Sequence, residues 1–252
     1  MNYNTLHPAE QLKEIMKRIY ARRLTTTSGG NLSIKDEDGN LWITPGGTDK
    51  GTLTKEDMVC IRADGTVCGP HKPSSEYPFH LKIYETRKDL HAVLHAHSPA
   101  LVAFSSVRKI PDTAIVPSVY LECGKIGLAQ YAMTGSHELG ERIAEVFRQG
   151  CDAAIMENHG VVIGAENLLE AFGKFEALET AARIQIHAAA IGNVNSLDKE
   201  LLEAYSERKV FPTAKFDLEE ASDEEKAARS EVCSFAARAY RQSLITCMQG
   251  SF

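Results

Sequence analysis

The 252-residue sequence lacks long apolar runs, an excess of positive charge and closely spaced cysteine pairs. Because a membrane-spanning helix needs about 18 or more consecutive apolar residues, we expect none, and the N-terminal segment has no signal-peptide pattern. The net charge of -6 argues against a basic face for nucleic acid or an anionic membrane. The six cysteines form no CxxC motif, which is typical of reduced thiols. We therefore expect a cytoplasmic protein without a nucleic-acid or membrane partner.

What the sequence contains is an alternation of helical apolar spacing with short runs broken by turn residues. Helices are predicted after Pro8, over "SSEYPFHLKIYETRKD", over "HELGERIAEVFRQG" and over "NLLEAFGKFEALETAARIQIHAAAIG". Hairpins are predicted in "TSGGNLSIKDEDGNLWITPGG", "DMVCIRADGTVCG" and "CDAAIMENHGVVIGA", and further strands in "AVLHAH" and "TAIVPSVY". Together they indicate an α/β fold with three α/β/α layers around a mostly antiparallel central sheet.

The C-terminal end of the chain carries a possible repeat. Residues 238–252 share five identities at one fixed offset with residues 18–32, and the preceding apolar positions keep the same phase. We therefore divide the chain into a main domain, 1–215, and a segment, 216–252, comprising an acidic linker and a C-terminal helix that would begin an incomplete second repeat. The alternative is a single ordinary amphipathic helix.

The stretch "HAVLHAHSPA" places several imidazoles on a predicted strand. Residues of equal parity share a strand face, so His95 and His97 point the same way with Cα atoms about 6.6 Å apart. His91 has the same parity, but it lies about 13 Å from His95 along an extended strand and is left out. An isolated pair of this kind is more often structural, because zinc needs three or four ligands.

Two further residues are candidate ligands. His159 occupies a tight Asn-His-Gly turn, and Glu76 follows two serines at the start of a helix, where the helix dipole favours a carboxylate. The alternatives are an exposed turn residue and a simple helix-start charge. His80, one helical turn after Glu76, is either a rival ligand or a core histidine.

Five segments occur in an order that resembles one family: "SGGNLSI", "LWITPGG", "KPSSEYPFHLKIY", "AVLHAHSP" and "ENHGVVIGAENLLEAF". The likeness, to the class II aldolase/adducin family of metal-dependent sugar-phosphate enzymes, covers roughly residues 8 to 210. The resemblance implies that His95, His97 and His159 bind Zn²⁺ or another divalent metal. It implies that Glu76 completes the coordination and then acts as acid and base.

The resemblance also implies a phosphate pocket made of backbone amides and hydroxyls, which suits an acidic protein. Its predicted members are Gly30, Asn31, Gly46, Gly47, Ser74 and Ser75. Each glycine or serine alone is equally consistent with a turn or a helix cap. Lys50 lies near these residues in sequence and would add a positive charge.

The implied activity is a lyase of carbohydrate metabolism that cleaves a small ketose 1-phosphate, of the fuculose or rhamnulose phosphate type, to dihydroxyacetone phosphate and an aldehyde. The alternatives are an epimerase, a dehydratase or a decarboxylase on the same metal frame, or a non-catalytic assembly module. Epimerases of the family usually carry aspartate where Glu76 stands, which favours aldol chemistry. The family is usually tetrameric, with a tyrosine from a neighbouring subunit at the site. Phe211 occupies the nearest position here, so Tyr120 is our candidate for that role.

Overall fold

A computed structural model describes residues 3–209 of the chain, and within that range the residues up to Tyr205 form one compact unit. The strands are β1 (Asn31–Lys35), β2 (Leu41–Ile43), β3 (Val59–Ile61), β4 (Val67–Cys68), β5 (Ala92–Ala96), β6 (Ile126–Ala129), β7 (Ala153–Met156) and β8 (Gly160–Ala165). The α-helices are α1 (Pro8–Ala21), α2 (Tyr77–Thr86), α3 (Pro99–Ser106), α4 (Pro117–Cys123), α5 (His137–Arg148), α6 (Leu168–Ala188) and α7 (Lys199–Lys209).

All eight strands form one sheet in the order β4-β3-β2-β1-β5-β8-β7-β6. Every pair of neighbours is antiparallel except β6 and β7, which are parallel. Helices α1, α3, α4 and α6 cover one face of the sheet, and α2 and α5 cover the other, each over its own hydrophobic core. The predicted three-layer α/β/α fold with a mostly antiparallel sheet is therefore confirmed.

The predicted first helix and the three predicted hairpins are present. Helix α1 has Pro8 in its first turn, where a missing N–H costs nothing, and the preceding His7 side chain accepts a hydrogen bond from the Ala9 amide. The helix buries its apolar stripe, Leu12, Ile15, Met16 and Ile19. The hairpins β1–β2, β3–β4 and β7–β8 all pair antiparallel.

One predicted strand is wrong and another strand was not predicted. The segment "TAIVPSVY" forms a 3-10 helix, Thr113–Ile115, followed by α4. Pro117 explains the difference, because its ring presets a helical φ at the first helical position and it cannot donate to a sheet ladder. Strand β6 was not predicted because two of its four residues, Gly127 and Ala129, have low β-propensity. It forms at the sheet edge beside β7.

Two further predictions concern the C-terminal segment and membrane-spanning helices. The acidic linker and second repeat predicted over 216–252 lie outside the described residues. Within residues 3–209, no helix combines the length and apolarity that crossing a bilayer requires.

Candidate metal centre

Four elements bring the predicted ligands to one point on the sheet. His95 lies near the end of β5 and His97 directly follows that strand, while His159 occupies the β7–β8 turn. Glu76 is the N-cap residue of α2. The turn is tight because Asn158 adopts a left-handed backbone (φ 52°) and Gly160 approaches Ala96 so closely that a Cβ would lie 2.5 Å from the Ala96 carbonyl oxygen.

The four side chains converge, with polar atoms about 3 Å apart. His95 Nε2 lies 2.9 Å from His97 Nε2, and it lies 3.3 Å from Glu76 Oε2. His159 Nε2 lies 3.4 Å from Glu76 Oε1. Each of the three histidines has one ring nitrogen within 4.8 Å of the other two. The four residues that the sequence suggested as ligands are thus neighbours in space.

The His95 ring is held in one orientation by the backbone. Its Nδ1 lies 2.9 Å from the Val161 carbonyl oxygen, which can only accept a hydrogen bond. Nδ1 therefore carries a proton, and in the neutral ring the lone pair is on Nε2, which faces the other histidines. A carbonyl partner behind a ligating imidazole is the usual arrangement in metal sites.

Burial and the mutual attraction of these groups shift their pKa values in different directions. Burial opposes ionisation of Glu76, but attraction to His95 and His159 outweighs it and holds the pKa of the Glu76 carboxyl well below its usual range. Burial also opposes charge on His95, and Glu76 outweighs it and raises the pKa of that ring. Burial, assisted by repulsion from His95, lowers the pKa of His97 to about 3 and that of His159 to about 4. At neutral pH the centre therefore contains an ionised carboxylate and two neutral rings with available lone pairs.

The residues fit a divalent cation. Glu76 Oε1 is buried and has no hydrogen-bond partner within the described residues, although a charged oxygen left unpaired in this way is costly. A cation between the rings would remove that cost. Three imidazoles and a carboxylate oxygen are ligands that zinc accepts, so the donor set suits zinc and related divalent metals.

A buried hydrogen-bonded chain lies behind Glu76, and the sequence reasoning did not find it. Asn31 Nδ2 donates to Glu76 Oε2 at 2.8 Å, and Asn31 Oδ1 accepts from His80 Nε2 at 2.5 Å. His80 Nδ1 then lies 2.7 Å from Ser33 Oγ, which in turn lies 2.8 Å from Tyr84 Oη. One sequence signal for it was available, because side chains alternate between the two faces of a strand, which places Asn31 and Ser33 of β1 on one face.

These hydrogen bonds also show whether His80 is a rival metal ligand or a core histidine. The ring is completely buried, and burial lowers its pKa to about 3, so it is neutral. Because Asn31 donates its amide to Glu76, its carbonyl must face His80 Nε2–H, and His80 Nδ1 accepts from Ser33. Both ring nitrogens are therefore occupied, and His80 supports Asn31 and Glu76 from the core.

Next to this centre, two segments predicted to bind phosphate lie side by side. An isolated antiparallel bridge pairs Pro45 with Pro73, and a Cβ on Gly46 would lie 3.3 Å from Ser74 Cα, so the two segments are in contact. The Gly46 amide is engaged with the Lys72 carbonyl at 3.1 Å. The Gly47 amide has no acceptor within the described residues, and both Gly47 and Ser75 are exposed. We call residues 45–47 and 73–75 the phosphate cradle.

The other two predicted phosphate residues, Gly30 and Asn31, adjoin the histidines. Asn31 is the register partner of His95, and a Cβ on Gly30 (φ 70°) would lie 2.7 Å from the His95 carbonyl oxygen. The Asn31 side chain is turned toward Glu76 and His80, so only its second amide N–H remains for a substrate.

Tyr120 is not among the described residues that contact the candidate centre. It lies on α4, is partly buried, and shares no described hydrogen bond or ring contact with Glu76 or the three histidines. Its proposed catalytic role stays a prediction. Phe211 lies outside the described residues.

Comparison with known proteins gives consistent matches. The family model for the class II aldolase and adducin N-terminal domain matches residues 10–186. An L-fuculose phosphate aldolase of Methanococcus maripaludis is 38% identical over 172 residues, covering 68% of this chain and 92% of the relative. A 3-oxo-tetronate 4-phosphate decarboxylase of Escherichia coli is 32% identical over 179 residues, covering 69% and 84% respectively. A solved L-fuculose 1-phosphate aldolase superposes with a TM-score of 0.71 at 33% identity, covering 81% of this chain and 96% of that structure.

Proposed function

The chain belongs to the class II aldolase and adducin family, and from this premise we propose that it cleaves a small ketose 1-phosphate to dihydroxyacetone phosphate and an aldehyde. It is a metal-dependent lyase, as its aldolase and decarboxylase relatives are. The observation that carries the specific reaction is the unpaired, buried Glu76 Oε1 next to three convergent imidazoles. A carboxylate of this kind can move a proton beside a bound cation.

We assign His95, His97, His159 and Glu76 as the residues that hold a divalent metal, with zinc the proposed ion. A metal bound there would supply Lewis acidity toward substrate oxygens and make a Schiff-base lysine unnecessary. Val161 orients His95 through its carbonyl oxygen. Asn31 orients Glu76 through Oε2, which leaves Oε1 as the atom available for proton transfer.

Glu76 Oε1 is the proposed proton carrier at C3 of the substrate. During cleavage, the C4 hydroxyl gives up its proton, which passes to the ionised Glu76 carboxylate, the C3–C4 bond breaks, and C4 leaves as an aldehyde carbon. The bonding electron pair passes to C3, where a proton from the Glu76 carboxyl completes dihydroxyacetone phosphate. In the condensation direction, ionised Glu76 accepts that same proton, which agrees with the lowered pKa of its carboxyl.

The substrate phosphate is proposed to bind at the phosphate cradle together with Gly30 and Asn31. The exposed Gly47 amide and the Ser75 hydroxyl supply donors, while Ser74 Oγ accepts from the Glu76 amide at 3.3 Å and links the cradle to the metal centre. This link holds the anion-binding donors at a constant position relative to Glu76. Tyr120 remains the proposed carrier of the C4 hydroxyl proton on its way to Glu76, and full turnover in a Tyr120→Phe variant would remove it from the mechanism.

The runner-up is decarboxylation of a sugar-acid phosphate. Relatives named 3-oxo-tetronate 4-phosphate decarboxylase are 31% and 32% identical to this chain, and the same side chains would serve that reaction. An epimerase or a dehydratase would also use this frame. The substrate and the second product separate these possibilities, because aldol cleavage releases triose phosphate and an aldehyde from a ketose phosphate, whereas decarboxylation of a 3-oxo-tetronate 4-phosphate releases triose phosphate and carbon dioxide.

The test is a product assay on the purified zinc-loaded protein. L-Fuculose 1-phosphate and L-rhamnulose 1-phosphate are supplied separately, and dihydroxyacetone phosphate is measured through a coupled dehydrogenase. In parallel, carbon dioxide is measured with 3-oxo-tetronate 4-phosphate. We expect triose phosphate from at least one ketose phosphate, and its loss in Glu76→Gln and after chelation. Absence of triose phosphate from every ketose phosphate tried would overturn the aldolase proposal.

We also propose that the protein works as a cytoplasmic homotetramer, following the family resemblance. Light scattering coupled to gel filtration tests the assembly. A monomer with full turnover would overturn it, and a protein without bound metal or turnover would favour the non-catalytic assembly module instead.

A further inference from the structure

Lys50 is a buried lysine without an ion-pair partner. Its residue is 2% exposed, and its Nζ donates to the Pro45 carbonyl oxygen at 2.5 Å. Among residues 3–209, no carboxylate lies within 4 Å of this ammonium. An ammonium has three donors, and only one of them has an acceptor here. Lysines are almost never fully buried unless they are paired, because removing the charge from water is costly.

The position of Lys50 connects both segments that we assign to phosphate binding. Its backbone N–H donates to the Thr27 carbonyl at 2.7 Å, just before the Gly29–Gly30 turn. Its side chain reaches Pro45, the first residue of the phosphate cradle. The residue therefore joins the two glycine-containing loops, and its charge lies against the first residue of the phosphate cradle.

Few titratable groups surround Lys50. Asp49 is exposed and its carboxylate accepts from the Gly51 amide at 2.9 Å, while the Tyr20 ring packs against Gly51. Burial lowers the pKa of Lys50 to about 8, with no charged neighbour contributing. At neutral pH the side chain is therefore mostly protonated, and the protein encloses a positive charge without a negative one.

We propose that Lys50 is the counter-charge of the phosphate site, so that the phosphate of the substrate is the anion this buried ammonium lacks. The proposal rests on the proposed function, since it adds a charged residue to the cradle of neutral donors. It also explains how a protein with a net charge of -6 attracts an anionic substrate. Charge-assisted bonds to an oxyanion are about twice as strong as neutral ones.

The experiment measures binding of sulfate, a dianion that does not titrate near neutral pH, to the zinc-loaded full-length protein by calorimetry. Lys50→Met keeps the length of the side chain and removes both charge and donor, whereas Lys50→Gln keeps a donor for Pro45. Lys88→Met is the matched control, because Lys88 is exposed and lies elsewhere. We expect both Lys50 variants to bind sulfate at least about tenfold more weakly, a change of about 1.4 kcal/mol, and Lys88→Met to match the wild type.

Two further readouts separate this role from a purely structural one. At pH 8.5, sulfate binding should draw a proton onto wild-type Lys50, and comparison of two buffers should show this uptake lost in Lys50→Met. The melting temperature of both variants should equal or exceed that of the wild type, because an uncompensated charge has been removed.

Three results would overturn the proposal: no sulfate binding to the wild type, wild-type affinity in Lys50→Gln, or weaker binding accompanied by a lowered melting temperature in both variants. Turnover by the wild type is independent of these results. Failure here would therefore leave the lyase proposal intact, while absent turnover with normal sulfate binding would contradict only the lyase proposal.

Discussion

Replacing His97 with alanine should remove most of the stabilisation that a divalent metal gives this protein. A ligand at 100 times its Kd stabilises the native state by about 2.7 kcal/mol. For a domain of roughly 200 residues, each kcal/mol moves Tm by about 2–4 °C, so saturating zinc should raise the wild-type Tm by about 5–11 °C.

The variant should lose nearly all of this increase. Removing a residue that only hydrogen-bonds to a metal ligand typically weakens metal affinity by about 10–100-fold. Loss of a ligand itself should therefore weaken zinc affinity by at least about 100-fold. At the same zinc concentration the increment then falls to about 0.4 kcal/mol, or about 1–2 °C. The metal-free Tm should change little, because His97 is neutral (its pKa is about 3) and Glu76 keeps its contacts with His95 and Asn31.

The assay is thermal unfolding with and without zinc, combined with metal analysis after dialysis. His91→Ala is the matched control. His91 directly precedes β5, but it is exposed and forms hydrogen bonds only through its backbone. It should keep the full zinc-dependent increase. A wild-type increase in His97→Ala, or its loss in His91→Ala, would refute the assignment of the centre.

Three further changes test the surroundings of the centre. Asn158→Ala should destabilise the protein by about 1 kcal/mol because alanine tolerates the left-handed backbone (φ 52°) less well than asparagine, whereas Asn158→Gly should not, since glycine adopts it freely; equal urea midpoints for the two would contradict this. His80→Leu leaves the buried Asn31 Oδ1 unpaired and removes one of the two partners of Ser33 Oγ, so it should cost about 2–4 kcal/mol in urea unfolding; a loss below about 1 kcal/mol would mean that the hydrogen-bonded network behind Glu76 is not stabilising. The pKa of Lys50 is about 8 in the folded protein and about 10.4 in the unfolded chain. Between these pH values the unfolded state binds more protons, so the free energy of unfolding of the wild type should gain a contribution as pH rises. Lys50→Met should lack that contribution, so parallel stability curves at pH 7.5 and 9.5 would argue against it.

Local sequence patterns predicted much of the frame that holds the site. Strand parity placed His95 and His97 on one face, and the predicted Asn-His-Gly turn marked the β7–β8 hairpin correctly. Pro8 and the apolar stripe after it predicted α1. These predictions succeeded because each depends on residues within one or two turns of chain, where side-chain direction follows from backbone geometry.

The failures have equally local causes. In "TAIVPSVY", β-branched residues suggested a strand, but Pro117 starts a helix there instead. Strand β6 has little propensity of its own and is paired with β7 at the sheet edge. Its Gly127 also lies so close to α5 that a Cβ would be 2.4 Å from Val146 Cγ1. Close packing of this kind leaves no periodic signal in the sequence.

The sequence by itself determined the order of the elements, the sharing of a face by His95 and His97, and the chemical types available for a metal and a phosphate. Only the tertiary structure decided that Asn31 meets Glu76, 45 residues away, and that one Glu76 oxygen is left unpaired. It also decided that Lys50 is buried without a partner. The physical reason is that hydrogen bonding and charge compensation depend on which distant segments are packed together, whereas periodicity records only the direction in which each side chain leaves its own backbone.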